Sequence, residues 1–485
     1  MNLNDQRNLT MLTDFYEITM ANGFFANGFD RDIAYFDIFF RQIPDGGGFC
    51  IMAGVEQMID YIKNLSFTRE DIDFLRGKKM FDERFLRYLA DFKFSSDVWA
   101  VPEGTPIFPG EPIVTVRGPA IEAQFMETML LICINHQTLI ATKANRICRA
   151  ASGRAVMEFG ARRAQGFDAA IYGSRAAYIG GCAGTSCTLS DRDFSIPAMG
   201  TMAHSWVQMF DSETDAFRAY AKLYPNACML LVDTYNVLKS GIPNAIRIFN
   251  EEIIPRGYRP AGIRIDSGDI TYLSKKARKM LDEAGFADCK ICASNSLDEF
   301  IIRDMLIQGA PLDIFGVGER LITASSNPVL GAVYKLTAIE RNGMIIPKIK
   351  VSENISKITT PGFKKLWRLY DNETGKAIAD VITLSDEMID DAQEYEIFDP
   401  ISTWKRKTVE NFTARPLLER IFKNGRCVYE TPDLQTLQSY CKNQVATLWD
   451  EVTRFENPHR YYVDLSPNLW HLKQELLSQY TIRTK

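Results

Sequence analysis

The chain has 485 residues, and at roughly 100–200 residues per domain this length predicts two or three domains, unless one is an α/β barrel. Apolar residues make up 46% and charged residues 24%, close to globular averages, which argues against a disordered chain or a coiled coil. The 56 basic and 61 acidic residues give a formal charge of −5. A mildly acidic chain without basic blocks is not expected to bind duplex DNA or RNA.

The N-terminal segment lacks the basic stretch followed by an apolar stretch that is typical of a secretory signal. The most apolar run, residues 129–134, stops at Asn135 and His136, far short of the ~18 residues expected of a membrane span. Ten cysteines are scattered without a framework. We therefore expect a cytoplasmic protein with reduced, mostly buried thiols and no membrane partner.

The two ends of the chain differ in pattern from its middle. In residues 91–120, Pro and Gly punctuate short β-type runs, which predicts a small β-rich module, and residues 121–149 have a helical, apolar pattern. After about residue 340 the pattern is typical of β meanders. We expect residues 1–140 and 346–485 to pack together as an α+β domain and residues 141–345 to form a separate barrel domain.

The middle of the chain repeats one pattern, in which a short apolar or Gly-rich run ends in polar residues and a helical pattern follows. The runs lie at Val156, Ile179, Met199, Met229, Ile263, Ile291 and Ile314. Such a repeat predicts parallel strands joined by crossover helices. Seven units favour an irregular α/β (TIM-like) barrel, although an open doubly wound sheet would have a similar pattern. In both architectures the chemistry lies at the carboxyl ends of the strands.

The segment GIRIDSGD places an arginine inside a predicted strand. Strand alternation puts Arg264 and Asp266 on one face. A buried guanidinium needs an anionic partner, and Asp266 could supply it within the protein. Alternatively, Arg264 could bind the carboxylate of a ligand with two parallel hydrogen bonds. The spacing alone leaves these two interpretations open.

Two neighbouring strand ends have the features of a phosphate site. Gly316 and Gly318 lie at a strand-to-helix turn whose backbone N–H groups could hold a phosphate, although a simple tight turn has the same pattern. Ser294 and Asn295 end the preceding strand, just before a helix that Ser296 is expected to cap. Two such turns on adjacent strands resemble the usual phosphate site of α/β barrels.

Further candidate residues lie at other strand ends. His204 follows Thr201 in GTMAHSW, and a lone histidine is often structural, but its place at a strand end favours a functional role. Arg162 and Arg163 follow another strand and would suit an anionic substrate, unless Glu158 pairs with them at the surface. No P-loop and no dinucleotide fingerprint is present. The residues thus predict an α/β enzyme for a small substrate with phosphate and carboxylate groups.

As a set, the motifs resemble those of one family. They are LTDFYEITM, FFRQIP, EGTPIFPGEPIVTVRGP, EFGARRAQG, GTMAHSW, VDTYN, GIRIDSGD and FGVGERLITASSNPVLGAVYKL. In this order, from Leu12 to about Leu336, the chain resembles the nicotinate phosphoribosyltransferases, which are type II phosphoribosyltransferases. The resemblance implies that nicotinate and 5-phosphoribosyl 1-pyrophosphate give nicotinate mononucleotide and pyrophosphate, driven by ATP and requiring Mg²⁺, in NAD salvage. It also implies a homodimer.

The resemblance assigns roles around the pyridine ring and the phosphoryl donor. His204 matches the histidine that ATP phosphorylates, since an imidazole nitrogen can attack a γ-phosphoryl group. Tyr16 matches the aromatic residue that stacks on the pyridine ring. Arg264 matches the arginine that pairs with the nicotinate carboxylate, and Thr201 lies beside the same ligand.

The remaining roles concern the phosphoribosyl group. Asp266 is expected to act at the ribose or the metal, and Asp269 to bind Mg²⁺. Arg162 is expected to stabilise the departing pyrophosphate. The phosphoribosyl contacts are expected from Arg163, Ser294, Asn295, Gly316, Gly318 and Glu319. Some relatives have threonine where this chain has Glu319, and a carboxylate cannot donate to phosphate, so only its backbone N–H is expected to bind.

Two alternatives stay open within this resemblance, and a third, outside it, is an unrelated barrel enzyme that acts on sugar phosphates. The substrate could be nicotinamide, which has no carboxylate for Arg264, or quinolinate, which has two. The chain could also be a catalytically idle metabolite sensor on the same scaffold.

Overall fold

The N-terminal segment alternates short helices and strands in the computed structural model, which describes residues 7–480. Helix α3 begins with a capping box between Thr68 and Asp71, and Asp82 caps α4. The β-rich module predicted for residues 91–120 is confirmed, because three strands lie there. The elements are α1 (Phe15–Ala26), β1 (Ile33–Phe39), β2 (Cys50–Ile51), α2 (Val55–Lys63), α3 (Arg69–Gly77), α4 (Glu83–Ala90), β3 (Asp97–Ala100), β4 (Pro106–Ile107), β5 (Val114–Pro119), α5 (Ala120–Gln124) and α6 (Glu127–Ala150).

The middle segment alternates strands of two to five residues with helices. Two π-helical turns, Val237–Gly241 and Phe249–Ile253, flank helix α11. The elements are β6 (Ala155–Glu158), α7 (Phe167–Ile179), β7 (Gly184–Thr185), α8 (Thr188–Phe194), α9 (His204–Gln208), α10 (Glu213–Leu223), β8 (Met229–Leu231), α11 (Ile242–Ile248), β9 (Gly262–Ile265), α12 (Ile270–Glu283), β10 (Lys290–Ser294), α13 (Glu299–Ile307), β11 (Ile314–Val317) and α14 (Glu319–Ile322).

The C-terminal segment is mostly β-structure, as its meander pattern predicts, and it ends in helices. Helix α17 begins with a serine cap, Ser466, and a proline at its first position, a common arrangement for a helix start. The elements are β12 (Val333–Arg341), β13 (Met344–Pro347), β14 (Lys364–Asp371), β15 (Ala377–Leu384), β16 (Tyr395–Phe398), β17 (Arg406–Val409), β18 (Phe412–Pro416), β19 (Glu419–Lys423), β20 (Arg426–Cys427), α15 (Leu434–Ala446), α16 (Asp450–Thr453), β21 (Val463–Leu465) and α17 (Pro467–Gln479).

The described residues divide into two compact units. The first unit comprises the residues up to Leu139 and those from Val329 onward, and the second unit is Ile140–Pro328. Strand β12 belongs to the first unit, where it pairs with β1 in a seven-stranded sheet of order β13-β12-β1-β5-β3-β19-β20. A four-stranded sheet of order β18-β14-β15-β21 completes the main β-structure of this unit. No helix within residues 7–480 is long and apolar enough to cross a membrane.

The second unit contains one parallel sheet of order β7-β6-β11-β10-β9-β8. Parallel strands with intervening helices were predicted, and this part of the prediction is confirmed. The barrel is not: within residues 7–480 no pairing joins the edge strands β7 and β8, so the sheet is an open row of six strands. The run predicted as a strand at Met199 forms only an isolated bridge, from Ala198 to Thr185, before α9 begins.

Candidate functional site

Arg264 lies on β9, and its guanidinium group is the centre of a polar network at the carboxyl edge of the parallel sheet. Its Nε donates to Ser294 Oγ at 2.9 Å, and its Nη1 donates to Thr201 Oγ1 and to the Met202 carbonyl, both at 3.2 Å. Its Nη2 lies 2.8 Å from Asp266 Oδ1. The internal ion pair that the sequence left open is therefore present, although the side chain of Arg264 keeps 14% of its surface exposed.

Asp266 joins this arginine to the candidate histidine. Its carboxylate accepts a hydrogen bond from Ser294 Oγ as well as from Arg264, and its Oδ2 lies 3.8 Å from His204 Nε2. Burial raises the pKa of Asp266, but the hydrogen bonds from Ser294 and Arg264 outweigh it and hold the pKa below its usual value. Asp266 is therefore a carboxylate at neutral pH, with one oxygen directed toward His204.

His204 is the first residue of α9, at the end of the GTMAHSW motif. Its Nδ1 lies 3.1 Å from Thr234 Oγ1, and its side chain is 39% exposed. Thr234 follows β8 within the motif VDTYN. It was not singled out in the sequence, although its place at a strand end was the signal that pointed to the other site residues.

Asp233, the residue before Thr234, is a buried acid that the sequence did not single out. Its Oδ2 accepts from the backbone N–H of Asp266 at 3.1 Å and from Ser267 Oγ at 2.5 Å, so it ties the ends of β8 and β9 together. Its Oδ1 is buried and has no hydrogen-bond partner in the part of the chain that the structure describes. A carboxylate oxygen in this state suits a cation or water.

Mg²⁺ fits this donor set. Among residues 7–480, no cluster of three or more His, Cys, Asp or Glu side chains could hold a metal ion alone. Mg²⁺ usually needs only one or two carboxylates, because substrate phosphates and water complete its octahedron. Asp269, the predicted metal ligand, is exposed, and its Oδ1 accepts from the backbone N–H of Tyr272 as the N-cap of α12. Asp233 and Asp266 are therefore the better placed carboxylates.

The predicted phosphate site lies on the two central strands. Ser294 ends β10 directly opposite Gly316 of β11. Asn295 and Ser296 follow with φ values of +91° and +48°, two successive left-handed residues of a kind that is common at functional sites. The capping prediction for Ser296 is wrong, because α13 begins at Glu299 and Asp298 accepts from the backbone N–H of its first turn.

Gly316 is required by a close neighbour rather than by its backbone angles. A Cβ at this position would lie 2.4 Å from the ring of Phe159, which follows β6. A Cβ at Gly318 would lie 3.1 Å from the Phe159 carbonyl oxygen. The same ring lies 5.8 Å from the Arg264 guanidinium group. Phe159, which the sequence did not single out, thus packs between the glycine turn and the arginine.

Arg162 and Arg163 lie in a short 3₁₀ turn, Ala161–Arg163, and both are exposed. Arg163 Nε lies 3.8 Å from Glu319 Oε2, and both side chains are 60% exposed. The surface pairing offered by the sequence therefore involves Glu319 rather than Glu158. The structure brings this arginine turn beside the GVGE turn.

Glu158 is instead fully buried at the end of β6. Its carboxylate accepts from Ser174 Oγ at 2.9 Å, from Thr185 Oγ1 at 2.6 Å and from the backbone N–H of Gly160. Burial raises the pKa of Glu158, while these hydrogen bonds partly offset the effect. Glu158 therefore anchors the backbone immediately before the arginine turn.

Tyr16 belongs to the first unit, where it lies in the first turn of α1. It is 44% exposed, and burial together with the neighbouring Glu127 raises the pKa of its hydroxyl group. The side chain is thus a neutral aromatic ring with an accessible face. Within the second unit, one network joins Thr201, His204, Arg264, Asp266 and Ser294, with Asn295 next to Ser294 in the chain and Gly316 opposite it in the sheet.

These features define an α/β protein whose parallel strands converge on an arginine–aspartate–histidine network suited to a small anionic ligand. Three family models match the chain: the nicotinate phosphoribosyltransferase N-terminal domain at residues 11–135, the nicotinate phosphoribosyltransferase family at 154–368 and the C-terminal domain at 363–473. The chain is 43% identical over 471 residues to a nicotinate phosphoribosyltransferase of Bacillus subtilis, covering 97% of this chain and 96% of the relative. The chain belongs to the nicotinate phosphoribosyltransferase family.

Two solved structures have a similar fold. The crystal structure of the human nicotinic acid phosphoribosyltransferase matches with a TM-score of 0.84 at 29% identity, covering 96% of this chain and 100% of that one. A nicotinate-nucleotide pyrophosphorylase from Pyrococcus furiosus matches with a TM-score of 0.70 at 23% identity, covering 92% and 97%, a likeness of fold alone.

Proposed function

We propose that the protein forms nicotinate mononucleotide and pyrophosphate from nicotinate and 5-phosphoribosyl 1-pyrophosphate, as a step of NAD salvage. The observation that carries the proposal is the position of Arg264. Its guanidinium group lies at the carboxyl edge of the sheet, partly exposed, and shares its donors among four different residues. A planar carboxylate such as that of nicotinate can replace weaker acceptors such as Thr201 and the Met202 carbonyl.

The reaction needs one bond to break and one to form at the ribose anomeric carbon. The bond to the pyrophosphate oxygen breaks, the pyridine nitrogen forms the new bond, and positive charge develops on the ribose ring. Catalysis then depends on positioning and on stabilising the departing anion. Arg162 and Arg163 carry the charge for this task, and the turns at Ser294–Asn295 and Gly316–Gly318 supply N–H and O–H donors to the phosphoribosyl phosphate. The stacking role that the resemblance assigns to Tyr16 stays a prediction.

Mg²⁺ would be held by Asp233 and Asp266 together with phosphate oxygens. When bound, it neutralises charge on the pyrophosphate. Asp233 has a buried carboxylate oxygen with no partner in the described chain, and Asp266 is kept ionised by its hydrogen bonds. In this proposal Asp269 serves chiefly as the cap of α12.

The coupling to ATP is proposed to run through His204. In the tautomer in which His204 Nδ1–H donates to Thr234 Oγ1, the lone pair lies on Nε2. Nε2 then attacks the γ-phosphorus of ATP, and ADP leaves with the electrons of the broken P–O bond. The neighbouring Asp266 would repel the phosphoryl group once it is bound, which favours its later release as inorganic phosphate by water. The homodimer expected from the resemblance belongs to the same proposal and can be measured by sedimentation equilibrium of the full chain.

Phosphate transfer from γ-labelled ATP tests the proposal most directly. We expect acid-labile, base-stable label on the wild-type protein and on His471→Ala, a control that removes an exposed histidine of α17, and no label on His204→Ala. A steady-state assay with nicotinate, 5-phosphoribosyl 1-pyrophosphate, Mg²⁺ and ATP should yield the mononucleotide, with nicotinamide and quinolinate as comparison substrates. Label that persists in His204→Ala would refute the phosphohistidine, and absence of any mononucleotide would favour the idle sensor.

A further inference from the structure

A cavity of about 1130 Å³ is formed wholly by the first unit, and no residue of the parallel sheet lines it. Its wall comes mainly from residues 41–48, 108–110, 356–360 and 457–461 and from helix α17. The polar network around Arg264 makes no contribution to this wall, so the cavity needs its own explanation.

The charge of this wall is unlike that of the chain. Arg41, His459, Arg460 and Lys473 line the cavity, and none of the described residues that line it is Asp or Glu, although the whole chain has 61 acidic residues and a net charge of −5. A concave surface that carries basic groups of one sign attracts anions.

Two of the basic groups, Arg41 and Lys473, donate hydrogen bonds to the same short segment, residues 356–360. Arg41 Nε donates to the Ser356 carbonyl at 2.9 Å, and Lys473 Nζ donates to Thr360 Oγ1 at 3.2 Å. Both acceptors are neutral, and neither cation forms an ion pair with a carboxylate within residues 7–480. Residues 356 and 360 are four apart, so their Cα atoms lie at most about 14 Å from each other, and Arg41 and Lys473 line the same cavity.

The surroundings of Lys473 destabilise its charged form, so a bound anion would stabilise it. The nearby Lys364 is buried and already pairs with Asp37 at 2.8 Å, so that carboxylate is neutralised. Burial and then the charge of Lys364 lower the pKa of Lys473 to about 8. Arg460 is the less available cation, because its charge already acts on two carboxyl groups: it contributes to the lowered pKa of Asp399 and partly offsets the raised pKa of Asp464.

The rest of the wall suits a planar, apolar group. Trp470 lines the cavity and is fixed by a hydrogen bond from its Nε1 to the Pro400 carbonyl at 3.0 Å. Tyr461 is held by stacking on Phe108, with ring centroids 3.9 Å apart. Rigid aromatic rings beside fixed cations are a common arrangement in sites for phosphorylated aromatic ligands.

We propose that this cavity is a second ligand site, in which Lys473 and Arg41 bind the phosphate groups of a nucleotide-like ligand and the aromatic wall contacts its planar ring. The site goes beyond the proposed transfer reaction, since no residue assigned to that reaction lines it. A ligand that binds here to the folded state alone raises the free energy of unfolding of the first unit.

Isothermal titration calorimetry of the full chain with adenosine 5′-diphosphate tests the site. We expect Lys473→Met, which keeps the apolar stem, to weaken one class of binding by about tenfold or more, because a charge-assisted hydrogen bond is lost. Lys473→Arg should retain most of the affinity, and Lys442→Met, which removes an exposed lysine of α15, should change nothing. Quenching of tryptophan fluorescence by the ligand should be reduced in Trp470→Phe.

Three outcomes would overturn the proposal. The first is unchanged affinity in both Lys473→Met and Arg41→Met. The second is a single bound equivalent that is lost in Arg264→Ala or His204→Ala but retained in Lys473→Met, because the ligand would then occupy the parallel-sheet site alone. The third concerns the ligand class. If inorganic pyrophosphate binds as tightly as adenosine 5′-diphosphate and does not quench the tryptophan fluorescence, the aromatic ring of the ligand has no role in binding. Failure of the transfer assay would leave all three measurements unaffected.

Discussion

Each unit of the molecule contains an arginine–aspartate pair, and the two pairs are built differently. Arg368 on β14 lies directly opposite Asp380 on β15, and both side chains are fully buried. The guanidinium group donates to both carboxylate oxygens, at 2.8 and 2.6 Å. In the pair of Arg264 on β9 and Asp266 directly after it, only one arginine donor reaches the carboxylate, at 2.8 Å, and the two side chains are 14% and 29% exposed.

The groups around each arginine–aspartate pair distinguish a structural pair from a functional one. The buried pair has two further hydrogen bonds, one from the Tyr461 hydroxyl group to Asp380 and one from Arg368 to the Pro106 carbonyl. Burial and the nearby Asp380 raise the pKa of Glu111 well above its usual value, which disfavours the charged form of this neighbouring acid. The open pair instead shares its hydrogen bonds with neutral groups that a ligand can displace.

The largest effect is expected when the buried pair is broken. Arg368→Met leaves Asp380 as an uncompensated buried charge, which should lower the free energy of unfolding by about 3–5 kcal/mol. Urea denaturation measures this loss. The double variant Arg368→Met/Asp380→Leu removes both charges and should recover a large part of it. A loss below about 1 kcal/mol in the single variant would contradict a structural role for the pair.

The open pair should respond in function more than in stability. We expect Arg264→Ala to raise the KM for nicotinate about 100-fold, since a charge-assisted bidentate contact is lost, and to cost less stability than Arg368→Met. Arg264→Lys keeps the charge but loses the planar fork, so it should restore only part of the affinity. Steady-state kinetics with varied nicotinate provides the measurement. An unchanged KM would remove the role assigned to Arg264.

The sequence predicted the second unit best where chemistry and periodicity coincide. The strand-then-helix rhythm correctly indicated parallel strands, and the structure joins Arg264, Asp266, Ser294 and His204, which the sequence analysis took from different segments, in one network. The alternation of Arg264 and Asp266 could show that they share a face, but not which partners each binds. That depends on Ser294 and Thr201, which are 30 and 63 residues away in the chain.

What the sequence could not predict depends on long-range packing. Closure of a sheet is decided by pairing between edge strands, and the edge strands β7 and β8 have only two and three residues. Asp233 and Phe159 gained their importance only when the strand order brought them beside Asp266 and Gly316. The buried pair of Arg368 and Asp380 was missed because a β meander with alternating charges has the same pattern as a solvent-exposed sheet.

The carboxyl group of Asp464 extends the comparison to an acid that has no ion-pair partner among residues 7–480. Asp464 on β21 is buried, and burial together with Asp399 raises its pKa from 3.8 to about 7. As the pH rises above 4, the unfolded chain loses this proton first, so the folded state loses stability until about pH 7. The loss between pH 5 and pH 8 should be about 2–3 kcal/mol.

Asp464→Asn should remove this loss, since an amide does not titrate. We therefore expect the variant to gain stability relative to the wild type as the pH rises from 5 to 8, measured by urea denaturation at several pH values. Asp433→Asn changes an exposed helix-cap acid whose pKa is lowered, so it should not reproduce this gain. A stability difference that does not vary with pH would contradict a raised pKa for Asp464.

The smallest effect is expected at an exposed pair, Arg163 and Glu319. Arg163 and Glu319 are 3.8 Å apart and 60% exposed, so solvent screens their attraction. Glu319→Gln should change the free energy of unfolding by no more than about 0.5 kcal/mol. Because the side chain cannot donate to phosphate while its backbone N–H can, the KM for 5-phosphoribosyl 1-pyrophosphate should stay the same or fall slightly as a repulsive charge is removed. A marked rise in that KM would instead show that the Glu319 carboxylate itself orders Arg163 for the substrate. The exposed pair would then be a functional pair, like that of Arg264 and Asp266.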